Sequence, residues 1–173
     1  MIIKTKDFIL RYIEISDVKP YFESMQDKKT KKYFMSVPKN LREARKEVNK
    51  LVNESNRKNP VMETFVIDVN GEYAGFVKID YENYDSREHR GRIHYATHPK
   101  FRGKGLTSKA VKLITNYGFK KFKFKRIMGR CRTSNKASAR VLEKAGYKLE
   151  GILKTNTFKD GKYVDDMIWA KVK

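Results

Sequence analysis

With 173 residues, 39% of them hydrophobic and 12% aromatic, the chain has the length and apolar content for one domain, residues 1–173, with a real core. No apolar run reaches the length of a membrane span and no signal peptide is read before the first strand, so a cytoplasmic protein with no membrane partner is expected; the single cysteine, Cys131, excludes an internal disulfide. The net charge of +20 is lopsided, since residues 1–90 carry 18 Lys and Arg against 15 Asp and Glu (+3) and residues 91–173 carry 22 against 5 (+17). The basic half should attract polyanions: a phosphate-rich cofactor, RNA or a ribosome surface, unless it is only a solvated basic face.

Residues 8–13 read as a first strand, and Ser16 or Asp17 caps a short helix running to Met25. The basic stretch 28–39 reads as a loop whose Tyr33, Phe34 and Met35 either line a cleft or pack on the core. Asn40 caps a second helix with Leu41, Ala44, Val48, Leu51 and Val52 on its apolar stripe. Strands over 64–69 and 73–81 flank Asn70-Gly71, a strong hairpin signal. A polar loop, 82–89, leads to a central strand over 92–97, stopped by His98-Pro99. After a glycine turn, Leu106, Ala110, Val111, Ile114 and Gly118 recur at helical spacing. The alternation of Phe and Lys over 119–125 is either a nucleic-acid platform or a helix end with its aromatics buried. A strand over 126–132 follows, in which Cys131 reads as a buried structural thiol rather than a nucleophile. Ser134 or Asn135 caps a last helix, Gly146 ends it, and strands over 147–158 and 163–171 close the chain around Lys159-Asp160-Gly161-Lys162. The order β-α-α-β-β-β-α-β-α-β-β is that of a mixed α/β sheet rather than a doubly wound parallel one.

The segment Arg102-Gly103-Lys104-Gly105-Leu106-Thr107-Ser108 organises this chain. Glycines just before a helix let a ligand approach the backbone, and the unpaired N–H groups of the first helical turn attract an anion. Arg102 and Lys104 add positive charge at the same place. A mere strand-to-helix connector is the alternative. The segment is neither a Walker loop nor a dinucleotide fingerprint, since both the GK[ST] ending and the third glycine are missing.

These motifs, in this order, resemble the GNAT superfamily of acetyl-coenzyme A-dependent N-acetyltransferases over essentially the whole chain. The glycine segment is similar to that superfamily's [Q/R]-x-x-G-x-[G/A], departing at Thr107, whose hydroxyl could serve a phosphate or cap the turn. The run Asn135-Lys136-Ala137-Ser138-Ala139-Arg140-Val141-Leu142-Glu143-Lys144-Ala145-Gly146-Tyr147 resembles the Rim-type branch, which acetylates N-termini of ribosomal proteins, as do residues 149–153 and 160–165. The resemblance implies a GNAT-like fold and acetyl-CoA as cofactor, with no metal. It implies a pantetheine arm paired with Tyr95, Ala96 and Thr97, a pyrophosphate on the amides of residues 103–108, and a contact from Asn135.

The resemblance also implies direct attack of an amine on the bound thioester. Ser138 takes the role of acid or sulfur-orienting group, because the tyrosine that many relatives carry seven residues after the asparagine is Leu142 here. Carboxylates used as bases in relatives map onto Arg92 and Arg130, which cannot accept a proton. His94 is then the candidate base, with Glu82, Asp85 and a water chain as alternatives. The acceptor expected is a protein N-terminus, with a small amine such as a polyamine or an antibiotic as the rival; a non-catalytic RNA-binding module on the same fold is the reading from another class.

Overall fold

The computed structural model describes residues 3–83 and 89–173. Its elements in chain order are β1 (Ile3–Lys4), β2 (Ile9–Tyr12), α1 (Val18–Gln26), α2 (Lys28–Tyr33), α3 (Leu41–Ser55), β3 (Met62–Val69), β4 (Glu72–Tyr81), β5 (Arg90–Thr97), α4 (Leu106–Lys121), β6 (Arg126–Arg132), α5 (Lys136–Lys144), β7 (Lys148–Lys159) and β8 (Lys162–Val172). The eight strands form one mixed sheet in the order β1-β2-β3-β4-β5-β6-β8-β7, antiparallel everywhere except between β5 and β6.

The period-2 alternation of the strands divides the apolar residues between two layers. Phe65, Ile67, Val77, Ile79 and Ile93 pack with Ile114 of α4 and Leu142 of α5, whereas Val66, Phe76 and Ala96 pack with Tyr21 and Met25 of α1 and Val48 of α3. Both hairpin signals close as read, with φ positive at Asn70 and Gly71 and again at Asp160 and Gly161. Gly146 ends α5 at φ +88°, where the N–H of Tyr147 donates to the Leu142 carbonyl at 3.0 Å.

Two short elements add to the expected order. β1 pairs with β2 through a turn in which the Thr5 hydroxyl donates to the Phe8 carbonyl at 2.7 Å. The 28–39 stretch is a loop only in its second half; residues 28–33 wind into α2 because the Asp27 carboxylate accepts the Thr30 N–H at 3.0 Å. Its lysine-rich sequence hides that helix from a hydrophobic periodicity. Phe119, Phe122 and Phe124 are 7%, 7% and 0% exposed, so the aromatics of that run belong to the core and cannot stack on bases.

The far end of α4 is fixed by a buried charge. Glu63 on β3 is fully buried and accepts from the hydroxyls of Tyr12 and Tyr117 and from Lys121 Nζ, each at 2.7 Å. Gly75 on β4 lets the end of β5 lie close: a Cβ there would sit 2.2 Å from the Ala96 carbonyl oxygen, at a φ of +144°. Gly75→Ala should therefore lower unfolding stability by roughly 2–4 kcal/mol, read as a fall in the urea midpoint. A change under about 0.5 kcal/mol, the size of an ordinary surface substitution, would show that β5 is not seated this tightly.

Candidate active site

β5 and β6 are each loyal to an outer neighbour. β5 pairs with β4 from Gly91 to Thr97, and β6 pairs with β8 from Arg126 to Arg132. The two pair with each other only at Arg90–Arg126, Gly91–Ile127 and Arg92–Met128. Beyond Arg92 they separate, leaving ladder groups of both strands facing a gap. The parity is set by two bonds toward β4, from the His98 N–H to the Ala74 carbonyl and from the Glu82 N–H to the Arg90 carbonyl, both 2.9 Å. Alternation then turns the backbone groups of Ile93, Tyr95 and Thr97 into the gap. Backbone donors for a cleft ligand are accordingly those of Tyr95 and Thr97, while Ala96, expected among them, bonds toward β4 and offers its side chain to the α1 layer.

At the wide end of the gap the chain turns through Pro99–Phe101 and then the glycine segment. Gly103 and Gly105 have φ of +79° and +74°, and a Cβ on either would meet no atom within 4 Å. Gly105 is the N-cap of α4 and supplies no side-chain cap, so among the described residues no side chain bonds the first-turn N–H groups of Leu106, Thr107 and Ser108. These donors, the positive end of the α4 dipole and the open space above the glycines make a cradle that fits a phosphate. Thr107 is buried, and its hydroxyl lies 2.5 Å from that of Thr97, so it ties the helix start to the end of β5.

Arg102 differs from its expected role as an added charge for the anion. Its guanidinium donates to the Asp27 carboxylate at 2.5 Å and to the Thr30 hydroxyl at 3.0 Å, fastening α2 across the mouth of the site. The same bond holds the Asp27 carboxyl down to about 2. Lys104 Nζ stands 5.1 Å over the Phe101 ring.

A cavity of about 540 Å³ joins these parts. Tyr95, Ala96, Thr97, Arg102, Gly103, Gly105, Leu106, Thr107, Ser108, Asn135 and Ser138 all line it, together with Tyr33 and Phe34 from the α2 side. Lys104 and His94 do not. Asn135 caps α5, its Oδ1 accepting the Ser138 N–H at 3.1 Å, which leaves its amide NH2 as the end a cofactor arm can meet. Leu142, seven residues after Asn135, is fully buried in the core.

One partner was not foreseen from sequence. The Tyr95 hydroxyl donates to the Ser138 carbonyl at 3.1 Å and lies 2.8 Å from the Ser138 hydroxyl. Burial pushes the Tyr95 phenol well above its ordinary value, so it stays protonated as a donor. The available signal was parity: Tyr95 shares a face with Ile93, which points to the α4–α5 layer. Cys131, opposite Tyr95 in the continued β5–β6 register, is buried, and burial raises its thiol, consistent with a structural side chain.

His94 sits on the other face of β5. Its Nε2 lies 3.3 Å from Asp80 Oδ1, and the same buried carboxylate receives Arg92 at 3.3 Å and Lys78 at 3.5 Å. Desolvation lowers the His94 pKa below its ordinary 6.5, partly offset by Asp80; with 41% of the side-chain surface still open, water limits that shift. Glu82 is described but pairs with Arg90 at 3.5 Å, and Asp85 falls outside the described residues. Among the described residues no group of three or more His, Cys, Asp or Glu could hold a metal ion, and no helix is long and apolar enough to cross a membrane.

The family model of the GNAT acetyltransferase domain matches residues 7–148. The chain belongs to the GNAT acetyltransferase family. It is accordingly an acetyl-CoA-dependent N-acetyltransferase on a GNAT fold. It is 29% identical over 170 residues, 98% of this chain and 96% of the other, to the uncharacterized N-acetyltransferase YnaD of Bacillus subtilis (strain 168). It is 30% identical over 99 residues, 57% of this chain and 52% of the other, to the spermidine N(1)-acetyltransferase of Escherichia coli (strain K12). RimL, a ribosomal L7/L12 α-N-protein acetyltransferase solved in complex with coenzyme A, superposes with a TM-score of 0.85 over 99% of this chain and 98% of its own; at 23% identity this likeness speaks for the fold.

Gly105→Ala should weaken coenzyme A binding about tenfold or more by calorimetry, because a side chain at positive φ strains the turn that presents the amides. Unchanged affinity would place the phosphates elsewhere. Thr97→Val removes the bond to Thr107 without adding bulk and should cost roughly 0.5–1.5 kcal/mol of stability in the same protein.

Proposed function

We propose that this GNAT enzyme acetylates the N-terminal amine of a protein by direct attack, with the Tyr95–Ser138 pair serving the departing sulfur. When bound, acetyl-CoA supplies an acetyl group activated as a thioester. Residues 103–108 would hold its pyrophosphate, the backbone of Tyr95 and Thr97 its pantetheine arm, and the Asn135 amide its amide groups. The observation that carries the reading is the juxtaposition of the open β5 edge with the Ser138 hydroxyl, backed at 2.8 Å by Tyr95.

The chemistry asks three things of the protein: an N–H aimed where negative charge gathers on the acetyl oxygen, a donor for the thiolate, and a route for the amine's proton. The N–H groups of Tyr95 and Thr97 face the gap and serve the first. Ser138 serves the second. Tyr95 keeps its proton; when that proton turns from the Ser138 carbonyl to the serine oxygen, 2.8 Å away, the serine's own hydrogen is free to turn into the cavity. His94, outside the cavity lining, serves the third through water: Asp80 binds the Nε2 side of the ring and leaves Nδ1 to accept a proton. A lowered pKa keeps that imidazole neutral at pH 7.

The Rim-type run 135–147 supports a peptide acceptor over a polyamine, and so does charge. A net +17 over residues 91–173 repels a polycation at long range and favours a substrate presented beside RNA or a ribosome. A cytoplasmic location fits that partner.

Acetylation of N-terminal peptides, polyamines and aminoglycosides, followed by released thiol and by mass spectrometry, tests the assignment. Peptide α-amine products should dominate; transfer to polyamines alone would overturn it. Ser138→Ala should lower kcat about 10²-fold with KM for acetyl-CoA little changed, the range for a positioned proton donor. Because the neutral base is lost as pH falls, kcat/KM should drop through a pKa below 6.5, and that acid limb should vanish in His94→Gln. A limb that survives the substitution would assign the base elsewhere.

A further inference from the structure

Arg132, the last residue of β6, is 8% exposed, yet no carboxylate among the described residues lies within ion-pair distance of it. Among the described residues its Nη2 reaches only the Met35 sulfur, at 3.3 Å, and its Nε is buried with no hydrogen-bond partner. A thioether is a weak acceptor, and a guanidinium removed from water without a counter-charge is costly. Asp166, opposite Arg132 in the β6–β8 register, does not supply the charge: its carboxylate accepts from Asn156 at 2.8 Å and Thr157 at 2.6 Å, with Arg130 at 3.9 Å.

The position of this cation is informative. Continuing the parallel register from Arg92–Met128 puts His94 across the gap from Arg130, and Ala96 across from Arg132. Ala96 lines the cavity on the side of α1, and Met35 follows α2. By this register Arg132 lies beside the cleft rather than among the residues that line its cavity, on the layer opposite α4 and α5 and next to Met35, which adjoins the lining residue Phe34; that is the side left for the acceptor once the anion cradle on α4 is filled. On that side Lys78, Arg92, Arg130 and Arg132 outnumber Asp80 and Asp166, both carboxylates being buried and already engaged.

We propose that Arg132, assisted by Arg130, is an anion subsite for the acceptor, so that the preferred amine carries a carboxylate or phosphate close to its nitrogen. This rests on the reading of the cleft as an acetyl-transfer site. It narrows the acceptor to a protein N-terminus followed by an acidic residue, or to a small phosphorylated amine, the two sources of the same chemistry. A polycationic amine meets repulsion there.

Paired acceptors that differ only in charge test this. Peptides beginning Ser-Asp and Ser-Asn, and phosphoethanolamine with ethanolamine, are compared by kcat/KM in wild type, Arg132→Gln and Arg130→Gln. The acidic member of one pair should lead by about tenfold or more, the size of one well-placed charge contact, and the pair that shows this identifies the source. Both substitutions should bring that ratio toward one by raising the acceptor KM, with KM for acetyl-CoA moved less than about twofold, below any lost charge contact. Equal rates within both pairs, a lead of the neutral members, or a rise in KM for acetyl-CoA in Arg132→Gln would overturn the subsite. If Arg132→Gln does not fold, Arg130→Gln, whose side chain is 54% exposed, carries the test. Coenzyme A binding without transfer to any amine would instead overturn the transfer reading, and the subsite with it.

Discussion

A ladder that stops early governs this molecule. β5 and β6 share three pairs and then part, because each is held along its full length by a different antiparallel neighbour. Main-chain donors and acceptors left unpaired inside a protein are costly unless something satisfies them. The cavity beside the gap lets water or a ligand satisfy these groups, and the surrounding contacts hold its walls in place. Tyr95 spans to Ser138 on one wall, Thr97 to Thr107 at the rim, and Arg102 to Asp27 across the mouth. Behind them, Glu63 anchors the far end of α4, so that its near end presents bare amides at the gap.

The two faces of the gap differ in charge. The α4–α5 face combines the glycine cradle with a neutral hydroxyl pair, suited to phosphates at one end and a sulfur at the other. The α1–α3 face gathers cations around two engaged carboxylates. Family membership settles that acetyl-CoA is the donor. It leaves the acceptor open, because a fold and its family motifs do not fix which amine is bound.

Much of this was legible in the sequence, for identifiable reasons. The glycine segment and the asparagine run are local motifs whose spacing survives folding, and both line the cavity. The hairpins at Asn70-Gly71 and Asp160-Gly161 are dictated by their own backbone preferences. What escaped notice depends on long-range register. Tyr95 meets Ser138 over a separation of 43 residues, and Arg102 finds Asp27 over 75, which no window of sequence reports. α2 escaped because an N-cap, not an apolar stripe, specifies it. The Phe–Lys run could be read two ways until burial of all three rings decided it.

The most direct test is amide hydrogen exchange across the gap, with and without coenzyme A. The account predicts that the amides of Tyr95, Thr97 and Leu106–Ser108 slow together on binding, by about tenfold or more, as donors gaining partners should. Amides of Ala96, already turned toward β4, should change far less. Protection spread evenly over the chain, or absent at both β5 and the start of α4, would contradict it.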